Sequence, residues 1–234
     1  MALPRLTLFL ASLVLAFGIE AVASTTIYNL DQTSGWSGCS GCTNSLGLAQ
    51  YSMTQHISSP SLDGNATKFH LGGTQPLADA LWHREVVGSS APTHFQLDLR
   101  YYYTNPSAPT GMEFSTGEHV GHQWYRLDWQ CSFYFHVWRV WDGKNGGWIN
   151  TSAPCARPTA YTWTHLVLEG HRYNGKTYFD AVTTNGHKYY VNRSVYPAST
   201  SSSANLVSIH FQLNGNKTAT DFDVWGDRFQ LTYW

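Results

Sequence analysis

HLVLEGHRYNGKTYFDAVTTNGHKYYVN, residues 165–192, has the clearest strand and turn pattern in the sequence. It contains two Asn-Gly pairs, Asn174-Gly175 and Asn185-Gly186, and each pair separates segments in which apolar and polar side chains alternate. Asn-Gly readily adopts the positive φ angles that two-residue hairpin turns require. The stretch therefore predicts three strands joined in an antiparallel meander.

The same alternation continues outward from this meander along most of the chain. Runs rich in Val, Thr, Tyr, Phe and Trp recur, and no stretch shows helical periodicity over three turns. We count roughly a dozen predicted strands, which is more than one sheet holds comfortably, so two packed sheets are expected. The sequence predicts an all-β protein with a two-sheet antiparallel β-sandwich.

The first 23 residues have the pattern of a secretory signal peptide. A basic start ends at Arg5, an apolar run covers residues 6–18, and the small residues Ala21 and Ala23 precede Ser24. The apolar run is shorter than the ~20 residues needed to cross a bilayer, so no membrane span is expected. We predict cleavage after Ala23, a single domain over residues 24–234, and a secreted or periplasmic location.

Composition restricts the class of partner. Charged residues make up 12% of the chain, aromatic residues 15%, and the formal net charge is −1. Average proteins carry about 25% charged residues, so the surface polarity here comes mainly from Ser, Thr, Asn, Gln and Gly. Binding to nucleic acid or anionic lipid needs clustered Lys and Arg, which the chain lacks. We expect no nucleic-acid partner and favour a hydroxyl-rich polysaccharide or other glycan.

The four cysteines, Cys39, Cys42, Cys131 and Cys155, indicate two disulfides, because an exported chain with an even cysteine count usually pairs them. Three pairings are possible, and we favour Cys39 with Cys42 and Cys131 with Cys155. A zinc site would need a second Cys-x2-Cys or a matching His pair, and a redox pair would need a βαβ setting. Neither pattern is present.

The C-terminal third of the chain resembles a known superfamily. YTWTHLVL at residues 161–168, the two Asn-Gly turns and DVWGDRFQL at residues 223–231 look like the second half of a concanavalin A-like lectin/glucanase domain. In that superfamily a Trp-x-His strand opens a meander, and the last strand returns beside the first. The resemblance implies a jelly roll, a fold that carries lectins, laminin-G-like modules, glucanases and polysaccharide lyases. The chain also resembles small secreted bacterial proteins of this superfamily.

The segment GMEFSTGEH, residues 111–119, is similar to the strand on which retaining glucanases carry Glu-x-Asp-x-x-Glu. The resemblance implies Glu113 as nucleophile and Glu118 as acid/base. Residues five apart fall on opposite faces of a regular strand, so this pair needs a bulge, which Gly117 could provide. Retention then requires a carboxyl separation of ~5 Å. Because Ser115 stands where the family has Asp, binding is favoured over hydrolysis.

Aromatic side chains are dense between Trp124 and Trp163. We predict one strand over Phe133–Asp142, with Tyr134, His136 and Trp138 on one face. Flat rings edged by polar donors suit a pyranose, whereas a Trp-rich core is the alternative. On a concave face formed by these strands, the predicted glycan-binding residues are Trp124, Arg126, Asp128, Tyr134, His136, Trp138, Glu169 and His171.

Histidines supply two further hypotheses. His119 and His122, three residues apart in a Gly-flanked loop, could share a metal, although no third ligand is identifiable. His136, His165 and His171, together with the acidic and arginine residues of the predicted face, would permit β-elimination on a uronate, as in jelly-roll alginate lyases.

Calcium is common on the resembled fold, often at a carboxylate near the last strand. Asp227, or the pair Asp221 and Asp223, would serve together with backbone carbonyls. Turn formation by these aspartates is the simpler interpretation, so no cofactor is required.

The sequence thus favours a secreted, lectin-like carbohydrate-binding module. A glycoside hydrolase using Glu113 and Glu118 is the second hypothesis, with a polysaccharide lyase less favoured. A structural or adhesion protein of the cell envelope, with no sugar ligand, is the third.

Overall fold

The computed structural model describes residues 23–42, 49–72, 75–87, 92–201 and 203–234. Residues 1–22 of the predicted signal peptide lie outside the described residues. Within the described ranges, no helix is both long enough and apolar enough to cross a membrane. A three-residue 3-10 turn at Leu30–Gln32 follows the first strand.

All other regular structure within the described residues is β-strand. The strands in chain order are β1 (Thr25–Ile27), β2 (Ser37–Ser40), β3 (Gln50–Ile57), β4 (Ala66–Gly72), β5 (Asp79–Val87), β6 (His94–Tyr103), β7 (Gly111–Val120), β8 (Gln123–Ser132), β9 (Val137–Asp142), β10 (Gly147–Pro154), β11 (Trp163–Tyr173), β12 (Lys176–Thr184), β13 (His187–Val195), β14 (Ala198–Ser199), β15 (Leu206–Asn214) and β16 (Phe222–Tyr233).

These strands form two eight-stranded sheets. Sheet I has the order β13-β12-β11-β6-β16-β4-β3, with β1 paired to β16, and sheet II has the order β10-β9-β8-β7-β15-β5-β2, with β14 paired to β8. Every pairing is antiparallel. The predicted all-β, two-sheet antiparallel sandwich is confirmed.

The meander that predicted the fold is present as β11, β12 and β13. Its two turns are Asn174-Gly175 and Asn185-Gly186, and all four residues have positive φ, between 46° and 84°. The final strand β16 lies beside β1, as the resemblance implied.

Aromatic side chains fill the space between the sheets. Phe69 of sheet I contacts Trp82 and Phe211 of sheet II, with ring centroids 5.1 and 4.7 Å apart. Phe114 stacks on Phe211 at 5.0 Å, and Phe229 stacks on Phe69 at 6.2 Å. All five are at most 2% exposed. Full burial of each such side chain contributes roughly 1.5–3 kcal/mol, so this cluster is a main source of stability.

One glycine allows the sheets to approach closely. A Cβ on Gly170 would lie 2.4 Å from Leu127 Cδ2 of sheet II and 2.6 Å from the carbonyl oxygen of Tyr178. The β11–β12 register shifts between Glu169 and Gly170. Any larger residue here would therefore push β11 away from sheet II.

Both predicted disulfides are formed. Cys39 is bonded to Cys42 at the end of β2, and Cys131 of β8 is bonded to Cys155, which follows β10. The second bond lies in the core, since Cys131 and Cys155 are 2% and 3% exposed. It fixes the segment after β10 against the middle of sheet II.

Candidate functional site

A cleft of about 910 Å³ lies on the face of sheet II that points away from sheet I. The side chains of β7, β8, β15 and β5 alternate, so one set packs into the core and the other lines this cleft. Hydrogen-bonded register aligns the second set in rows across the strands. The lining side chains include Asp79, His83, Glu113, Ser115, Trp124, Arg126, Asp128, Gln130, Trp141, Trp148, His210, Gln212 and Asn214.

Glu113 lies at the centre of a polar row that crosses four strands. Its Oε1 accepts hydrogen bonds from Gln130 Nε2 at 2.8 Å and Asn214 Nδ2 at 2.9 Å. Arg139 donates to Gln130 Oε1 at 3.0 Å, and Gln212 donates to Asn214 Oδ1 at 2.8 Å. Burial raises the pKa of Glu113 to about 7, although the two amide donors oppose this shift. This carboxyl group is therefore close to half protonated near neutral pH.

Asp128 lies on the neighbouring strand and forms an ion pair with Arg126, with Arg126 Nη2 2.5 Å from Asp128 Oδ2. Asp128 is only 3% exposed, and its Oδ1 has no hydrogen-bond partner among the described residues. The Arg126 guanidinium lies 4.1 Å from the ring centroid of Trp124. Charge in this part of the cleft is therefore balanced between one arginine and one aspartate.

His210 completes the middle of the cleft. Its ring centroid lies 5.9 Å from those of His83 and Trp124. Burial lowers the pKa of His210 to about 4. The imidazole is therefore neutral at physiological pH and can both donate and accept a hydrogen bond.

Indole rings flank the polar residues. Trp141 and Trp148 pack edge to face with centroids 5.2 Å apart, and Trp124 stacks on His119 at 4.9 Å. The Arg139 guanidinium lies 5.7 Å from the Trp148 ring. The cleft thus combines apolar ring surfaces with amide, imidazole and charged donors and acceptors.

Glu118 does not share the cleft with Glu113. The register of β7 with β8 is unbroken from Gly111 to Val120, so the predicted bulge at Gly117 is wrong. Glu118 consequently points to the opposite face, is fully buried and accepts a hydrogen bond from Arg172 Nε of sheet I at 3.1 Å. Burial raises its pKa to about 7, and Arg172 opposes the shift. Glu113 and Glu118 therefore cannot act as a retaining pair on one face.

The prediction that three residues around the start of β9 lie in the glycan site is wrong. The structure places Tyr134, His136 and Trp138 outside the cleft. Strand β9 begins only at Val137, because residues 133–136 form a turn in which His136 has φ 57°. Tyr134 is 78% exposed in that turn, and Trp138 is 1% exposed in the core. The side chains that β9 contributes to the cleft region are those of Arg139 and Trp141, on the alternate face.

Glu169 and His171 belong to the other sheet, so their placement beside Trp124 is wrong as well. Both lie on the outer face of β11, in sheet I. Glu169 pairs with Lys188 at 2.6 Å, and His171 contacts Asp180 at 2.8 Å and stacks on Tyr178. The histidine cluster proposed for β-elimination is therefore not assembled.

Four predicted residues do come together: Glu113, Trp124, Arg126 and Asp128 all line the cleft. Sequence reasoning missed the contributions of β5, β10 and β15. The sequence shows the alternation of polar and apolar residues in β15 and the two indoles, Trp141 and Trp148, of β9 and β10. It does not show on which face of the sheet these side chains lie, because that depends on strand pairing. The missed lining residues are Asp79, His83, Gln130, Trp141, Trp148, His210, Gln212 and Asn214.

Asp227 occupies a second, buried polar site beside the last strand. Its Oδ2 accepts hydrogen bonds from Ser61 Oγ at 2.9 Å and the Leu62 amide at 2.7 Å. Its Oδ1 has no hydrogen-bond partner within the described ranges, and the side chain is fully buried. Burial, with a smaller contribution from the Asp227 charge, raises the pKa of Asp31 to about 6. Two buried carboxylates thus lie close enough to influence each other.

Across the part of the chain that the structure describes, no group of three or more His, Cys, Asp and Glu side chains is placed to hold a metal. His119 packs on Trp124 instead of meeting a third ligand with His122.

No protein-family model matches the chain, and no curated protein sequence matches it. Several solved structures do align with the chain in three dimensions. The cellulose-induced protein Cip1 aligns with a TM-score of 0.53 and 9% identity, over 84% of this chain and 90% of that one. The marine PL-14 alginate lyase from Aplysia kurodai aligns with a TM-score of 0.54 and 12% identity, over 77% of this chain and 86% of that one.

A structure of carbohydrate-binding modules from the β-sandwich superfamily aligns with a TM-score of 0.44 and 8% identity, over 86% of this chain. This chain spans 58% of the length of that one. The alignments with TM-scores above 0.5 agree with a jelly-roll β-sandwich architecture.

The buried glutamates should make stability depend on pH. A carboxyl group whose pKa is raised from 4.5 to about 7 on folding stabilises the protein at low pH and loses that contribution as pH rises through 7. Glu113→Gln removes one such group. We expect the variant to exceed wild type in free energy of unfolding by roughly 1–3 kcal/mol at pH 8, because one pKa unit corresponds to about 1.4 kcal/mol. The two proteins should converge near pH 4.5.

Urea unfolding followed by tryptophan fluorescence between pH 4.5 and 8 measures this difference. The matched control is Glu169→Gln, which removes a partly exposed carboxylate from sheet I. Identical pH profiles for wild type and Glu113→Gln would show that Glu113 ionises in the folded protein as it does in the unfolded chain.

Proposed function

We propose that the protein is a carbohydrate-binding, lectin-like module whose glycan ligand lies in the cleft of sheet II. The observation that carries the proposal is the placement of indole rings beside a continuous row of amide, carboxyl and guanidinium groups on one concave surface. A site of this kind fixes the orientation of a polar ligand through a few hydrogen-bonding groups and holds it against apolar ring surfaces.

The aromatic side chains support the same class of ligand. A pyranose has an apolar C–H face and a polar rim, so it needs a ring surface beside hydrogen-bonding groups. Trp124 lies beside Arg126, and Trp141 and Trp148 lie beside Arg139 and the Glu113 row. Solved structures that align with this fold include the cellulose-induced protein Cip1 and a marine alginate lyase.

The charge distribution favours a neutral glycan over a strongly anionic one. Arg126 is paired with Asp128, and Arg139 reaches Glu113 through Gln130. The depressed pKa of His210 keeps that imidazole uncharged. Among the described cleft residues, both arginines are thus already paired with a carboxylate, directly or through Gln130. Neither is left to bind a polyuronate, a polymer that carries one carboxylate on every sugar unit.

Loss of an indole from the cleft should weaken glycan binding. We expect Trp124→Ala and Trp141→Ala each to reduce affinity at least about tenfold, which corresponds to ~1.4 kcal/mol. Affinity electrophoresis against a panel of neutral and acidic polysaccharides, followed by calorimetry with the best ligand, measures the effect.

The matched control for these variants is Trp163→Ala, which removes a partly buried indole from the outer face of sheet I, beside Tyr102. It should bind as wild type does. Equal losses of glycan affinity in all three variants would indicate general destabilisation. If wild type binds no polysaccharide at all, a structural or adhesion role is favoured instead.

We further propose that the protein works outside the cytoplasm. The two disulfides support this location, since such bonds persist mainly in oxidising compartments.

Asp227 supports a separate proposal, that a calcium ion stabilises the region beside β16. Calcium prefers carboxylate and carbonyl oxygens, and Asp31 and Asp227 would supply two carboxylates. The unpartnered Oδ1 of Asp227 and the raised pKa of Asp31 fit a site where a cation would offset negative charge. The ion would act on stability rather than on ligand chemistry.

Calcium should therefore raise the melting temperature, and EDTA should lower it by several degrees. Asp227→Asn should abolish the calcium response, whereas Asp223→Asn should preserve it, because Asp223 pairs with His70 and Lys68 on the sheet surface. Differential scanning calorimetry with and without calcium tests this. A melting temperature that ignores both calcium and EDTA would eliminate the proposed site.

A further inference from the structure

We propose that the cleft of sheet II holds an internal segment of an extended polysaccharide chain, about six sugar units long, that crosses the strands from the Cys39–Cys42 disulfide to Trp148. This proposal rests on the proposed function, because it needs the glycan to lie in the cleft. It adds the length of the bound segment, its direction and the residues at its two ends.

A single row of side chains crosses sheet II. Its first six members lie directly opposite one another on the neighbouring strands β2, β5, β15, β7, β8 and β9. They are, in that order, Cys39, Leu81, Gln212, Glu113, Gln130 and Arg139. Asn150 of β10 lies opposite Arg139 and continues the row to the edge of the sheet. The row therefore covers all seven strands in the main order of sheet II.

The dimensions of the cleft suit a chain of sugars rather than a single sugar. Its lining extends from Cys39 on β2 to Trp148 on β10. Neighbouring strands lie about 4.8 Å apart, so seven strands give a row of roughly 29 Å. An extended pyranose chain advances by about one such spacing per unit, so about six units cover the row. A single sugar would leave most of the 910 Å³ of the cleft to water.

The two ends of the cleft are apolar and lie at the edges of the sheet. At the β10 end, Trp141 and Trp148 lie opposite each other, and both line the cleft. At the β2 end, the disulfide and Leu81 line it. Cys42 and Asn150, at the two edges, are exposed. A bound chain can therefore continue past either end, so the site suits an internal segment and needs no chain terminus.

The middle of the row is polar, and its side chains are already held in place. Gln130 donates to Glu113 Oε1 at 2.8 Å and accepts from Arg139 at 3.0 Å, while Asn214 donates to the same Glu113 oxygen at 2.9 Å. Side chains that are fixed before binding lose little conformational entropy when a ligand binds. The row thus offers ordered hydrogen-bonding groups on successive strands, between apolar surfaces at its two ends.

The length of the site can be measured with oligosaccharides of two to eight units from the polysaccharide that wild type binds most tightly in the electrophoresis screen. In calorimetry, we expect affinity to rise at least about 100-fold from the disaccharide to the hexasaccharide, because each added unit contacts a further strand. Affinity should then level off, since later units lie beyond the sheet edges. An octasaccharide whose reducing end is converted to the alditol should bind as the unmodified one does.

Variants at the two ends test which residues set this length. Trp148→Ala should lower hexasaccharide affinity about tenfold and make affinity level off one or two units earlier. The double variant Cys39→Ser, Cys42→Ser should have the same effect from the β2 end. Leu81→Ala tests that end with the disulfide intact if the double variant does not fold. The control Trp163→Ala, on the outer face of sheet I, should keep the wild-type dependence on length.

Other outcomes would overturn the proposal in distinguishable ways. A disaccharide that binds as tightly as the hexasaccharide would exclude the extended segment and leave the binding function intact. Weaker binding of the alditol would indicate recognition of a chain end. An equal loss of affinity at every length in the end variants would contradict the assignment of the two ends. If wild type binds no polysaccharide, the proposed function fails, and the extended segment fails with it.

Discussion

The aromatic packing between the two sheets is the constraint on which the cleft depends. Phe114 and Phe211 must point inward to meet Phe69 of sheet I. Because side chains alternate along a strand, burying these rings forces the neighbouring positions on β7 and β15, among them Glu113 and His210, onto the opposite surface. The polar row of the cleft is thus the reverse side of the aromatic core, and a one-residue slip of either strand would exchange the two.

Much of the fold was predictable because its signals are local. The Asn174-Gly175 turn sets the register of β11 and β12 through backbone angles that Asn and Gly adopt readily, and no distant contact is needed to recognise it. The pairing of Cys131 with Cys155 was favoured by spacing and compartment alone. The order of strands within each sheet was not predictable, because β15 inserts between β7 and β5 although it follows them by many residues in the chain.

The site was less predictable than the fold for the same reason. Trp124 and Asp128 follow Glu113 on the next strand of a hairpin, so sequence proximity was enough to group them. His210 arrives from β15, and Glu169 belongs to sheet I, so only the three-dimensional strand order separates the true neighbour from the false one. Trp138 shows a further limit, since either face of β9 carries a Trp and only pairing with β8 determines which one is buried.

We propose that a glycan binds in the cleft of sheet II and not on the aromatic outer face of sheet I. The indole N–H signals of the ¹⁵N-labelled protein test it most directly during titration with an oligosaccharide of the bound polysaccharide. We expect shifts for Trp124, Trp141 and Trp148. Trp163 and Trp225, which both pack against Tyr102 on the outer face of sheet I, should not shift. Shifts confined to Trp163 and Trp225 would contradict it.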